Sequence, residues 1–415
     1  MSELIGNAVF GQSGGPTSVI NASASGVFQE ALKQKNIKKI YGAAHGIRGI
    51  LDEIMYDMGM EDMKELDLLK NTPSSALGSV RYKLASADKD ETDYIRILEV
   101  FKKYNIRYFF YNGGNDSMDT CNKISKYMQK SGYECRVMGV PKTIDNDLWS
   151  TDHCPGYGSA AKYVATSTME IYQDARVYDT PMITVLEVMG RNAGWLTASS
   201  ALAAYKGSGP DLIYLPEIPF SIDKFLADVE KVYNKTGKVI IAVSEGCKDT
   251  NGKYIPEMVQ DNLAKDAFGH AQLGGTASIL ADIAKKKFKC KVRGIEFSLL
   301  QRCAAHIGSL TDINEAFMAG QAAVRAACNG MTDQMVAFER TPGQVYECKI
   351  KMINLSEVAN AEKTVPMDWI NKEGNFVTDD FIHYALPLIQ GSPELTLEDG
   401  LPRFAKLKKV LAKPE

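Results

Sequence analysis

RYFFYNGGNDSMDTCNKISKYMQ, residues Arg107 to Gln129, states the architecture in one unit. Arg107 to Tyr111 is a short aromatic run of the kind found in buried strands. Gly113 and Gly114 supply a tight turn, and a helical pattern follows from Ser117 to Gln129. Outward from this stretch the same alternation of short apolar runs and longer amphipathic ones recurs, which predicts parallel sheets covered by helices. Candidate strands are Ala8–Phe10, Lys39–Gly42, Arg107–Tyr111 and Arg136–Val140, then Met182–Val188, Leu212–Leu215, Val239–Val243 and Arg293–Ser298. Ser18–Leu32 and Ala160–Gln173 are further helical patterns. Two groups of strands fit an α/β chain of two doubly wound, mostly parallel sheet lobes better than one very wide sheet. The 415-residue length also exceeds what one core usually serves. The expected division is 1–155 plus about 305–350, and 156–304 plus about 351–415, with the active site in the cleft between the lobes. The tail from Met331 suggests closing strands and a docked helix.

A net charge of −3 gives no global attraction to nucleic acid or to an anionic membrane. An anionic substrate therefore needs a local cluster of Lys, Arg and backbone N–H groups. No apolar run is long enough to span a bilayer, and MSELIGNAVFGQSGG lacks the pattern of a signal peptide, so a cytoplasmic protein is expected. The eight cysteines are scattered without a C-x-x-C pair and read as reduced thiols. His45, His153, His270, His306 and His383 show no zinc spacing.

Polar and glycine-rich residues gather where candidate strands end, which is where open parallel sheets bind ligands. GQSGGPTSVINAS, from Gly11, leads a strand through Gly14 and Gly15 into a helix: an anion cradle, or simply a turn that needs glycine. It is neither a Walker A loop nor G-x-G-x-x-G. In YNGGNDSMDT, Asn115 and Asp116 offer oxygens suited to magnesium, or cap the helix. GVPKTIDNDL places Asp145 and Asp147 two apart beside Lys142 and Thr143, a base with a tuning partner, or an Asx-rich turn. VLEVMGRNAGWL presents Gly190 and Arg191 after a strand, while Glu187 and Glu245 suit sugar hydroxyls. Arg81, Lys83, Arg293 and Arg302 are candidate phosphate forks, although most arginines are surface residues. The set as a whole describes phosphoryl transfer.

The order GG, LGSxR, GGxxS, TIDND, MGR, EG and a late R-x8-QR resembles the phosphofructokinase family from about Gly11 to about Ala327. The resemblance implies that Asp145 is the general base for the 1-hydroxyl of fructose 6-phosphate, with Asp147 assisting magnesium and the reacting groups. It implies that Thr143 contacts the transferring phosphoryl and the sugar, within a Thr143–Ile144–Asp145 substrate segment. Gly14, with Gly15, resembles the donor-phosphate turn, Arg81 the bridge between donor phosphates, and Asn115 the magnesium (Mg2+) position. Met189, Gly190 and Arg191 match the sugar loop, Glu245 a hydroxyl acceptor, and Arg293 and Arg302 the 6-phosphate clamp. One such arginine comes from a neighbouring subunit in the family, so a homo-oligomer, dimer or tetramer, is expected. Three positions depart from the ATP-using bacterial pattern: Asn115 for aspartate, Met182 for a second cross-subunit arginine, and Leu299 for a histidine facing the 6-phosphate.

Asp116 and Lys142 stand where ATP-using relatives have glycine, and their combination resembles the pyrophosphate-using branch. A carboxylate at 116 enters the volume of the ATP α-phosphate. Like charges about 4 Å apart repel by about 4 kcal/mol at an effective dielectric near 20, roughly a thousandfold in binding. Lys142 offers a cation to the shorter donor. The expected activity is reversible phosphoryl transfer from pyrophosphate to fructose 6-phosphate. The alternatives are an ATP-dependent phosphofructokinase, a silent regulatory subunit, against which the retained Asp145, Asp147 and Gly14 speak, and, more remotely, a kinase of the NAD or lipid type.

Overall fold

In the computed structural model, which describes residues 4–258, 274–343, 345–358 and 362–414, two sheets carry the molecule. His270 lies outside the described residues. The strands are β1 (Gly6–Gln12), β2 (Ile37–Ala43), β3 (Met55–Asp57), β4 (Ile106–Gly113), β5 (Arg136–Pro141), β6 (Met182–Val188), β7 (Leu212–Tyr214), β8 (Lys238–Ser244), β9 (Lys291–Glu296), β10 (Gln334–Arg340) and β11 (Cys348–Asn354). A seven-stranded sheet runs β11-β10-β5-β4-β1-β2-β3, and a four-stranded one runs β7-β8-β6-β9. Pairing is parallel except for β2 with β3 and β10 with β11. This is the α/β, two-lobed, mostly parallel arrangement that the alternation of apolar and amphipathic runs implies.

Period-two alternation explains why the strands stay put. On the large sheet Val9, Phe109 and Val137 face one core, while Phe10, Phe110 and Met138 face the other. Leu186 and Ala242 face one core of the small sheet, and Val185 and Val243 its other. Slipping a strand by one residue would exchange these faces, each buried side chain being worth about 2 kcal/mol.

Parallel register lines up the strand ends that bear the motifs. Gln12 pairs with Asn112 and Gly113 with Pro141, so the turns after β1, β4 and β5 share one rim. Val188 pairs with Ser244 on the second sheet.

The tail closes the fold in two places. β10 and β11 join the large sheet, and the helix Asp379–Ala385 buries Phe381 and Ile382 in the second lobe's core. Residues beyond 351 therefore do not all accompany the second lobe, as the sequence division has it. β11 continues to Asn354, and 403–412 lies along β3, because the backbone of an edge strand demands partners. There Asp57 N donates to Val410 O at 2.8 Å and Ala412 N to Met55 O at 2.8 Å. No described helix is long and apolar enough to cross a membrane.

Candidate active site

The site grows from three βα turns of the large sheet and faces the turns of the small one. After β5 the backbone of Lys142 donates to Gly113 O at 3.0 Å, which docks the Lys142–Asp147 loop beside the turn of β4. Lys142 itself is buried, and its Nζ donates to Gly15 O at 2.6 Å. Burial pulls this ammonium down to about 8, against the upward pull of Asp145 and Asp147; Arg302 and Arg81 push the same way as burial. Five charged groups from three segments of chain therefore share one space.

Burial raises Asp145, opposed by the charges of Lys142, Arg191 and Arg302. Asp147 is pushed up to about 7 by burial, then by Asp145 and Glu362. Two carboxylates so close cannot both ionise freely without cations nearby. Asp145 N donates to Thr143 Oγ1 at 3.1 Å, and buried Ile144 anchors the loop between them. Asn146 takes a left-handed φ of 55°, held by Nδ2 to the Tyr384 hydroxyl at 2.7 Å and by Cys154 N to Oδ1 at 2.9 Å.

The helix Asn115–Lys130 begins at the end of β4 with Gly114 as N-cap and no capping side chain. Asn115 and Asp116 are thus in the first turn rather than caps. Asn115 Nδ2 donates to Asp147 Oδ2 at 3.3 Å, and its Oδ1 is buried without a hydrogen-bond partner. Asp116 is exposed.

Gly14 has a φ of 75°, the reason for glycine there. Its N–H, which the resemblance aims at a donor phosphate, donates instead to Val80 O at 3.2 Å, because the segment before Arg81 lies against the turn. Ser79 Oγ donates to Gly14 O at 2.6 Å from the same segment. A Cβ on Gly15 would stand 3.1 Å from Arg302 Nη1, so the two lobes meet at this turn. Arg81 and Lys83 are exposed.

On the small sheet, Gly190 N donates to Glu245 Oε1 at 3.4 Å and Met189 N to Gln301 Oε1 at 3.1 Å. Glu245 is pushed up to about 7 by burial and by Asp145. Arg302 is half-buried and lowered, first by burial and then by Arg81. Two candidates find partners elsewhere in the chain. Glu187 accepts from Ala277 N at 2.8 Å at the start of the helix Thr276–Phe288 rather than facing the cleft. Arg293 is exposed on edge strand β9 and paired with Asp174 at 3.3 Å. Leu299 is 54% exposed.

Sequence reasoning missed Glu362, whose charge raises both loop aspartates, and Asn192, whose Nδ2 donates to Glu362 Oε1 at 3.0 Å. Asn192 directly follows the MGR motif and was open to notice; Glu362 sits in a tail without motif and is brought in by folding alone. Gln301 adjoins Arg302 and carried the same local signal.

A family model described as phosphofructokinase matches residues 7–295. The chain belongs to the phosphofructokinase family. It is 42% identical to the pyrophosphate–fructose 6-phosphate 1-phosphotransferase of Halomonas elongata, over 97% of this chain and 96% of that one. It is 43% identical to the enzyme of the same name from Xanthomonas campestris pv. campestris, over 98% and 97%. The crystal structure of a pyrophosphate-dependent phosphofructokinase from Marinobacter aquaeolei superposes with a TM-score of 0.89 at 40% identity, covering 99% of this chain and 98% of that one.

Phosphofructokinases typically use a divalent metal. The residues present suit one: the orphaned Asn115 Oδ1 and the Asp147 carboxylate form an all-oxygen donor pair, the preference of a hard cation.

Proposed function

We propose that this chain is a pyrophosphate-dependent 6-phosphofructokinase, transferring a phosphoryl group from pyrophosphate to the 1-hydroxyl of fructose 6-phosphate. The observation that carries this reading is the burial of Lys142 with Asp145 and Asp147 in one loop at the lobe junction. Relatives 41–43% identical over nearly the whole chain bear the name of that activity.

Asp145 takes the proton of the 1-hydroxyl as that oxygen attacks the terminal phosphorus. The bond from phosphorus to the bridging oxygen breaks, and the leaving phosphate takes the electron pair beside Lys142. Raised basicity at Asp145 favours the proton transfer, while Arg81, Lys142 and Arg302 neutralise the anions that meet there. Thr143 orients the loop. Met189, Gly190, Arg191 and Glu245 receive the sugar, and Arg302 its 6-phosphate. Asn115 and Asp147 would hold magnesium, which would supply charge neutralisation on the phosphates when bound. Asp116 bars a nucleotide by charge and volume. An anhydride is exchanged for an ester without nucleotide, so the step runs in both directions.

Arg293, exposed and paired with Asp174, and exposed Leu299 fit a homo-oligomer in which Arg293 serves a neighbour. We read the working division as two lobes, with 403–412 counted with the first. Eight free thiols support a cytoplasmic address. A donor screen with fructose 6-phosphate and magnesium tests the reading: turnover with pyrophosphate is expected, and turnover with ATP but not pyrophosphate overturns the donor assignment.

A further inference from the structure

The chain from Glu362 to Val365 lies between the 142–152 and 189–195 loops and bonds to both. Lys363 N donates to Asp147 O at 2.8 Å, two residues past the base, and Leu148 bridges Glu362. Lys363 Nζ donates to Thr151 O at 3.0 Å and to Asp152 O at 2.6 Å. From the other side, Trp195 Nε1 donates to Lys363 O at 2.8 Å, and the ammonium stands 5.0 Å from the Trp195 ring centre. Glu217 Oε1 then accepts from both Val365 N at 2.9 Å and Gly194 N at 2.8 Å.

We propose that Lys363 is a positioning residue, tying the catalytic loop 142–152 to the sugar loop 189–195 so that Asp145 faces the sugar hydroxyl. The inference rests on the reading of the site given above. Its physical basis is the conformation of the loop. Asn146 and Ser150, neither of them glycine, have φ of 55° and 61°, a strained state that persists only where surroundings enforce it. Asn146 is held by Tyr384 and by the Cys154 backbone, and Ser150 is followed at once by the two carbonyls that Lys363 grips. A lysine placed against main-chain carbonyls gives up hydration, a cost that burial registers by lowering this ammonium. A merely space-filling residue at 363 would need no such charge. The neighbouring Glu362, bonded to Asn192, extends the same tie to the residue after Arg191.

The test is steady-state kinetics of the full chain with pyrophosphate, fructose 6-phosphate and magnesium. Wild-type turnover comes first; its absence defeats the functional reading, not this inference. Given turnover, Lys363→Met is expected to lower kcat by about 30-fold while each KM stays within about threefold, since misplacing a base costs rate rather than uniform binding. Lys363→Arg, which keeps the cation and its donors, is expected to restore a large part of that loss. A Lys363→Met kcat within about twofold of wild type overturns the proposal, as does a loss expressed wholly in KM. An arginine variant as slow as the methionine one also overturns it. Should the methionine variant not fold, as judged by thermal melting, Lys363→Gln is read by the same criteria.

Discussion

Changing Glu245 to Gln alters one buried acid and leaves its shape. The carboxyl sits at about 7 instead of its ordinary 4.5, chiefly because of burial. That gap corresponds to about 3.5 kcal/mol at about 1.4 per pH unit, and partial access to the cleft reduces it to about 2. Between pH 4.5 and 7 the folded protein keeps a proton that the unfolded chain has released, so stability falls as pH rises through that window. The glutamine variant escapes the penalty. In urea unfolding followed by fluorescence it should exceed wild type by about 2 kcal/mol at pH 8 and match it near pH 4.5. Function should move the other way. Only the ionised acid accepts fully from sugar hydroxyls, so the wild-type KM for fructose 6-phosphate should rise about tenfold between pH 8 and pH 6. The variant should bind weakly at both, and titration of the sugar phosphate cancels in the ratio. A stability gap equal at the two pH values, or parallel KM profiles, refutes the reasoning.

Replacing Asp116 and Lys142 together by glycine should shift donor preference towards ATP in competing-donor assays; continued indifference to ATP defeats the charge and volume account. Gly14→Ala places a Cβ 3.3 Å from Lys142 Nζ on a backbone with φ of 75°. The pyrophosphate KM should rise about tenfold, measured by initial rates, since the left-handed conformation alone costs about 1–2 kcal/mol. His153 pairs with Asp152 at 2.9 Å and Glu315 at 2.7 Å, and those carboxylates, against the effect of burial, raise it to about 9. Its stabilisation is full below the unfolded value of 6.5 and lost as pH rises through 9. His153→Ala should cost about 3 kcal/mol at pH 6 and less at pH 10 by denaturant titration. Mixing Arg293→Ala and Asp145→Asn subunits, each feeble alone, should recover activity; a mixture as inactive as its parents argues against a shared site.

Much of the architecture was legible because a parallel strand buried on both faces is a continuous apolar run, as at Met182–Val188 and Val239–Val243. The loop proposed to carry the chemistry was legible for a local reason: Lys142, Asp145 and Asp147 lie within one turn of chain. What escaped depends on distance along the chain. β3 is three residues long and forms only because β2 offers an edge. Glu362 and Lys363 have no neighbouring pattern, and their meaning arises from meeting Asp147 across more than two hundred residues. A strand-end acid facing the cleft and one bonded at a helix start look alike in sequence; in the structure Glu187 accepts from Ala277 N at 2.8 Å.

Residues 403–412 are made by the ribosome after everything they cover. Until they emerge, β3 presents an unsatisfied edge, and Glu61 and Glu65 lack the backbone N–H groups of Lys406, Lys408 and Lys409 that later cap them. The growing chain must therefore wait with an open margin on its larger sheet, the moment at which a second nascent copy is the most dangerous neighbour it can have.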